Sequence, residues 1–187
     1  MTRSPDSGGG LAVASVTGGD GYWHPRADGR DPLALLLDEF LPLCAERVGA
    51  GGGRVVMGVS MGGYGAALTA MTRPAAFSGV VVSSGALWPS RADQAAGIAD
   101  AFDSDADYAR HDVVAGAHRG VFRRLFVRVD CETADPFLAG NRAFAAAVRP
   151  REQRFDAGCH EQRTWRRYAP EQILFARRAL LAQPFAT

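Results

Sequence analysis

The sequence predicts an α/β fold, one domain built on a mainly parallel sheet of about five strands. Three observations carry that expectation. The chain has 187 residues, the length of a single domain. Short apolar runs recur along it, and stretches with apolar residues at helical spacing separate them. Hydrophobic residues make up 47% and charged residues 22%, a globular composition. Folding at this length buries roughly 70% of the surface of the unfolded chain, enough for a substantial core.

The elements follow in order. Residues 1–10 are polar and glycine-rich and read as a disordered lead-in; the domain is expected over 11–187. Residues 11–16 (LAVASV), closed by Thr17-Gly18-Gly19, read as a buried first strand. A loop dense in Gly, Asp and Pro follows. Asp31 as N-cap and Pro32 at the first helical position then open a helix. Its apolar face is Leu33, Leu36, Leu37, Phe40, Leu41 and Cys44. Pro42 removes a backbone donor inside it and predicts a kink, and the glycines of 49–53 end it.

Residues 54–59 are the second strand, and a helix runs from Gly62 to about Met71. The third strand is 80–83. Residues 86–120 are mixed, with short helices expected at 92–101 and 106–114. The fourth strand is 125–131, a helix spans 136–148, and the fifth strand is 153–157. A closing helix covers 165–181, with a break expected at Pro170.

Composition excludes several functions. All 21 basic residues are arginine, so lysine chemistry, including Schiff bases and a P-loop lysine, is ruled out. The net charge of +1 comes with no basic run, which argues against a nucleic-acid partner. Cys44, Cys131 and Cys159 form no C-x-x-C pair, so no metal site is expected. Reduced thiols are the expectation, although Cys131 and Cys159 could meet if their strands are neighbours. No segment approaches the roughly 20 apolar residues of a membrane span. The first residues do not read as a signal peptide, so the chain as given points to the cytoplasm.

The chemistry centres on VVMGVSMGGYGAAL, residues 55–68, where Gly58-Val59-Ser60-Met61-Gly62 is a G-x-S-x-G pattern. A strand before it and a helix after it are the setting of a nucleophile elbow. Such a turn forces Ser60 into a strained backbone and lifts its hydroxyl above the sheet. Side chains at Gly58 and Gly62 are expected to collide with neighbouring backbone. The amide of Met61, at the helix start, is placed to bind a developing oxyanion. The competing reading is an ordinary serine in a glycine-rich turn. A phosphate-binding loop is weakly supported, because neither G-x-G-x-x-G nor G-x-x-x-x-G-K-[ST] is present.

A serine nucleophile needs a base. Of four histidines, His160 follows the fifth strand, at the end of a parallel sheet where ligand sites gather. His111 and His118 read as surface residues. His24 reads equally well as a pocket residue or an ordinary loop residue. The acid candidates are Asp130, Glu132 and Asp135 in VDCETADPF. Asp130 reads as a strand-end hydrogen-bonding residue. Asp135 is preferred over Glu132 because it lies further out, with a helix N-cap as its ordinary alternative. Tyr22, Trp23 and Trp88 are candidates to line an apolar pocket, although aromatics in such loops more often serve packing.

VVMGVSMGGYGAAL, VDCETADPFLAGNRAF and GCHEQRTWRRYAPEQ resemble the putative-esterase branch of the α/β-hydrolases. That branch includes the esterase D (S-formylglutathione hydrolase) and mycolyltransferase-type enzymes. DGYWHPRADGRDPLALLLDEFLPLC resembles the loop and helix ahead of its elbow. The resemblance spans nearly all of 11–181. It implies a three-layer α/β-hydrolase-like fold, with Ser60 as nucleophile, Asp135 as acid and His160 as base. It also implies an acyl-enzyme route on a small-molecule ester or thioester, with no cofactor.

The chain departs from that pattern at its front, where about three strands normally precede the one matching 11–16. The loop after the third supplies a second oxyanion donor. Losing one donor typically costs about 2.7–4 kcal/mol of transition-state stabilisation, about 100- to 1000-fold in rate. The chain is therefore read as N-terminally truncated, and as secreted if a leader is missing. The absent third strand would lie between 11–16 and 54–59. Those two must pair directly or leave unpaired edges open to self-association. Amides of the loop 18–23 are the alternative source of the second donor. A second departure is Gly-Cys-His at 158–160, where the branch has Gly-Gly-His. The competing function is a non-catalytic remnant acting as a binding or interaction module.

Overall fold

A computed structural model of the chain describes residues 11–48 and 53–182. The expected lead-in, 1–10, and most of the glycine stop at 49–53 lie outside the described residues. Four strands form one sheet: β1 (Val55–Val59), β2 (Gly79–Ser83), β3 (Phe126–Glu132) and β4 (Glu152–Asp156). They are all parallel and lie side by side in sequence order.

The sheet is one strand short of the expectation. Residues 11–16 form no strand, and Leu11 and Val13 are exposed. The physical reason is the absence of a partner: among the described residues β1 hydrogen-bonds only to β2. An extended segment gains no ladder unless a neighbour lies within strand spacing. The two segments that had to pair or remain open have remained open.

β2 lies inside the sheet and is buried at every position, while β1 at the edge is only half-buried. Val80 and Val82 point into the main core with Leu68, Val127, Val129 and Phe144. This face is covered by α3 (Met61–Thr72), α6 (Val113–His118) and α7 (Leu138–Val148). Val81 points the other way, towards α8 (Gln162–Leu181), whose Tyr168, Phe175, Ala176 and Ala179 are buried. Alternation along one strand thus feeds two apolar layers, as period-two geometry requires. Each fully buried valine contributes about 1.5–3 kcal/mol.

Asp31 caps the first helix as expected, accepting from the Ala34 amide at 2.8 Å. The helix runs as α1 (Pro32–Ala34), a π-helical segment (Leu35–Phe40) and α2 (Leu41–Val48). The irregularity foreseen at Pro42 therefore takes the form of a widened turn just ahead of it. There the Leu41 amide reaches back to Leu36. Pro170 does not break α8. It is exposed, so its ring faces solvent while the opposite face of the helix stays packed on the sheet.

Residues 86–120 form α4 (Arg91–Gly97), a 3-10 turn (Ala99–Ala101), α5 (Asp105–His111) and α6. Asp112 divides the last two, accepting from the Val114 and Ala115 amides at 2.9 Å each. All three cysteines are free thiols; Cys131 is buried and Cys159 is exposed. No helix among the described residues is long and apolar enough to cross a membrane.

A buried polar clamp ties α7 to the end of β2. Asn141 accepts from the Gly85 amide at 3.1 Å and donates to the Gly85 carbonyl at 2.7 Å. Asn141→Ala strands both backbone groups and should cost about 2–4 kcal/mol. Chemical denaturation would show this as a lower midpoint with an unchanged slope.

Candidate active site

β1 and β2 end level, at Val59 and Ser83, while β3 and β4 run two residues further, to Glu132 and Asp156. Val59, Ser83, Asp130 and Arg154 align across the sheet, so the segments that follow share one rim. Ser60 leaves β1 on that rim with φ 55° and ψ −122°. Its backbone is pinned from three sides. The Ser60 amide donates to Ser83 at 3.0 Å, while its carbonyl accepts from Tyr64 at 3.1 Å and Ala86 at 2.9 Å. Left-handed φ costs a β-carbon residue about 1–3 kcal/mol, so the surroundings must enforce it.

The glycines show how tight the turn is. A Cβ on Gly58 would stand 1.9 Å from the Gly62 carbonyl oxygen. Gly62 itself faces open space, which corrects the collision expected there. The second tight position is Gly63, whose Cβ would lie 2.9 Å from Gly85 Cα and 3.2 Å from the Ser83 oxygen. The motif glycine matters at one end only, because the helix turns its Gly62 side outward.

An ordinary helix-capping serine turns its hydroxyl onto the second or third amide of its helix. Ser60 makes no such bond. Its Oγ lies 2.9 Å from Nε2 of His160. Nδ1 of His160 lies 2.7 Å from Oδ2 of Asp135. The three side chains are 100 and 25 residues apart in sequence and form one hydrogen-bonded chain. The amides of Met61, Gly62 and Gly63 precede the first intrahelical bond, Tyr64 to Ser60, and lack helical acceptors.

Two backbone bonds bring the partners together. The Thr133 amide donates to Asp156 at 2.8 Å, and the Ala134 amide to Gly158 at 2.9 Å. They staple the loop carrying Asp135 to the loop carrying His160. The Asp135 side chain is fully buried, and its Oδ1 accepts from the Phe137 amide at 2.8 Å. The expected N-cap role thus survives in shifted form: Asp135 holds the turn before α7 and the histidine together. Phe137 and Trp165 meet the His160 ring edge-on, with centroids 5.3 and 4.8 Å away.

The other carboxylates are committed elsewhere. Asp130 accepts from Arg128 Nε and Gln172 Nε2, both at 2.8 Å, on the α8 face. This matches its reading as a strand-end hydrogen-bonding residue. Glu132 accepts from the Ser84 hydroxyl at 2.5 Å. Burial raises the pKa of both Asp130 and Glu132. Burial, helped by Asp135 and Glu132, pushes the Cys131 thiol up to about 12. A thiol so far from ionisation is an inert packing group.

The aromatic loop residues serve the core. Trp23 lies against Gly65 of α3, where an added Cβ would come 2.3 Å from the indole. His24 is fully buried and stacked on Phe102 and His111, each 4.8 Å away. The His24 Nε2 bonds the Ala101 carbonyl at 2.9 Å. Tyr22 is half-buried beside Tyr64 and Trp88. Trp88 borders a cavity of about 10 Å³, room for no more than a water. The ring area of Trp23 and His24 is thus spent on packing. His111 is likewise part of this buried cluster rather than a surface residue, and burial lowers its pKa.

The model of a family described as "Putative esterase" matches residues 33–170. The chain belongs to this family. Among solved structures, a ferulic acid esterase superposes with a TM-score of 0.69 at 21% identity, over 84% of this chain and 64% of that one. The S-formylglutathione hydrolase of Agrobacterium tumefaciens gives 0.69 at 18%, over 86% and 63%. MPT51 of Mycobacterium tuberculosis gives 0.64 at 20%, over 87% and 73%. At these identities the likeness is one of fold, that of the α/β-hydrolases. The chain thus spans somewhat under two thirds of the first two relatives. No curated protein matches it.

Sequence reasoning missed Ser84, Phe137 and Trp165. Only Trp165 left a signal, an aromatic in the first turn of the helix that follows His160.

Two outcomes follow from the site. Gly58→Ala should destabilise by at least about 3 kcal/mol through backbone overlap. Gly62→Ala should be neutral or stabilising by about 0.5–1 kcal/mol, since it replaces glycine in a helix; thermal melts compare the two. Glu132 gives the second. Its folded pKa lies above the ordinary 4.5, so folding takes up a proton between the two values. The stability it contributes is full below the unfolded pKa and is lost as pH rises through the folded one. Glu132→Gln should remove that decline in denaturant melts taken across a pH series.

Proposed function

We propose that this chain hydrolyses small-molecule carboxylic esters or thioesters through an acyl-enzyme on Ser60. One observation carries the reading: a serine in strained backbone spends its hydroxyl on His160 rather than on its own helix. Family membership supports the general class.

In this reading His160 Nε2 takes the Ser60 proton as Oγ attacks the ester carbonyl. Asp135 holds the ring by Nδ1 and stabilises the imidazolium that forms. The tetrahedral oxyanion meets the Met61 amide, at the positive end of α3. Collapse expels the alcohol or thiol with the proton from His160. Water then attacks the acyl-enzyme by the same route, releasing the acid and restoring Ser60. No step calls for a cofactor. The loop 18–23 reaches the flank of α3 through Tyr22 on Tyr64 and Trp23 on Gly65. Its Tyr22 and Trp23 have φ of 50° and 59°, and strained backbone of this kind often marks functional loops. This contact favours that loop as the source of a second oxyanion donor.

A second reading, a non-catalytic module that self-associates, is favoured by the outer edge of β1, which pairs with no strand among the described residues. One experiment separates the two. A fluorophosphonate probe should label Ser60 stoichiometrically, and p-nitrophenyl acetate should give a burst. Both should vanish in Ser60→Ala. Absent labelling, with dimers or larger species by light scattering, would favour the second reading.

A further inference from the structure

A second carboxyl group is buried behind the proposed catalytic one. Glu132, the last residue of β3, is fully buried, and one of its oxygens holds the Ser84 hydroxyl. Its Oε1 is buried with no hydrogen-bond partner among the described residues. The ligand atoms of Cys131, Glu132 and Asp135 all lie within 4.8 Å of one another. From α8, Arg167 and Tyr168 face Glu132 at longer range, and Arg167 is exposed, so its charge is screened. Asp156 is its neighbour on β4 and adds no positive charge.

Two carboxyl groups this close in a buried site disfavour each other's ionisation. The donors decide which keeps the charge. Asp135 receives the Phe137 amide on one oxygen and faces His160 with the other. Glu132 has one hydroxyl donor and an orphan oxygen, a set that suits a neutral acid. The orphan oxygen is then the natural place for the proton.

The same carboxyl anchors a relay to the histidine. The Trp165 indole N–H donates to Ser84 Oγ at 3.0 Å, and the Ser84 hydroxyl donates to Glu132. Trp165 in turn presents its ring to His160. Ser84 has φ 44°, and its amide is tied to the Asp130 carbonyl at 2.7 Å. Gly158 leaves room for the glutamate, since a Cβ there would come 3.0 Å from Glu132 Cγ.

We propose that Glu132 is a positioning residue of this site. As a neutral carboxylic acid it confines the negative charge to Asp135, and through Ser84 and Trp165 it fixes one wall of His160. The inference rests on the hydrolase reading for its kinetic consequence, but not for the protonation state. Burial and the neighbouring Asp135 raise the Glu132 pKa, in keeping with the donor set.

The test uses Glu132→Gln, which mimics the neutral acid, and Glu132→Ala, which breaks the relay. The readout is kcat and KM for p-nitrophenyl acetate across pH. Glu132→Ala should lower kcat by about tenfold to a hundredfold, the cost of a slightly misplaced catalytic group, with KM little changed. Glu132→Gln should restore most of that loss and leave the acid limb of the kcat/KM profile where it stands in the wild type. A merely structural residue would move the melting temperature without this rescue.

If the acid limb moves to lower pH in Glu132→Gln, a negative charge has been removed and the inference is overturned. A glutamine variant as impaired as the alanine variant overturns it as well, and so does an alanine variant with wild-type kcat. Infrared difference spectra keep the test independent of activity. The carbonyl stretch of a protonated carboxyl group should be present at pH 7 in the wild type and lost in Glu132→Gln. That band in a protein that no fluorophosphonate labels would support the protonation state and sink the hydrolase reading. A labelled protein without the band would do the reverse.

Discussion

The structure depends on the backbone of Ser60. A left-handed residue between a strand and a helix is unfavourable in isolation, and here three hydrogen bonds to Ser83, Tyr64 and Ala86 impose it. The chain can bend so sharply only because Gly58 and Gly63 carry no side chain where backbone passes. The result is a hydroxyl lifted off the sheet and denied its usual place on the helix. That oxygen meets Nε2 of His160 instead.

The parallel sheet does the arranging. Because all four strands run the same way, every following loop emerges on one rim, and residues far apart in sequence meet there. Stapling bonds between the loops after β3 and β4 then set the spacing of Asp135 and His160. Asp135 serves two donors at once, so the geometry of α7 and the orientation of the imidazole are coupled. Aromatic edges from Phe137 and Trp165 hold the ring without competing for its nitrogens.

Charge is handled differently on the two faces of the sheet. Beneath α8, buried Arg128 meets Asp130, Glu152 and Glu171, so opposite charges neutralise each other. At the rim Asp135 is paired with His160, whereas the Oε1 of Glu132 beside it has no partner among the described residues, and in our proposal protonation takes the place of pairing there. The edge of β1 is the other unresolved demand of the fold. Among the described residues its outer backbone groups have no strand to meet, and residues 11–15, apolar enough for one, lie exposed instead, while Val16 packs on the core.

The sequence by itself determined the alternation of strands and helices, because apolar periodicity and capping residues act locally. Asp31, Pro32 and the run 55–71 made their elements legible within a few residues. It also singled out Ser60, Asp135 and His160, which the structure joins in one hydrogen-bonded chain, since a G-x-S-x-G turn and polar residues at strand ends have short-range signatures. Residues 11–16 misled because an apolar run records only the tendency to be a strand, whereas a strand exists through its neighbour. Gly62 misled because a motif does not say which glycine faces backbone and which faces solvent. Only the tertiary structure decided that Trp23 and His24 belong to the core. It alone placed Trp165 against the histidine and tied Ser84 to both Trp165 and the buried Glu132. Those outcomes depend on contacts across 48 and 81 residues of chain, and no local pattern encodes them.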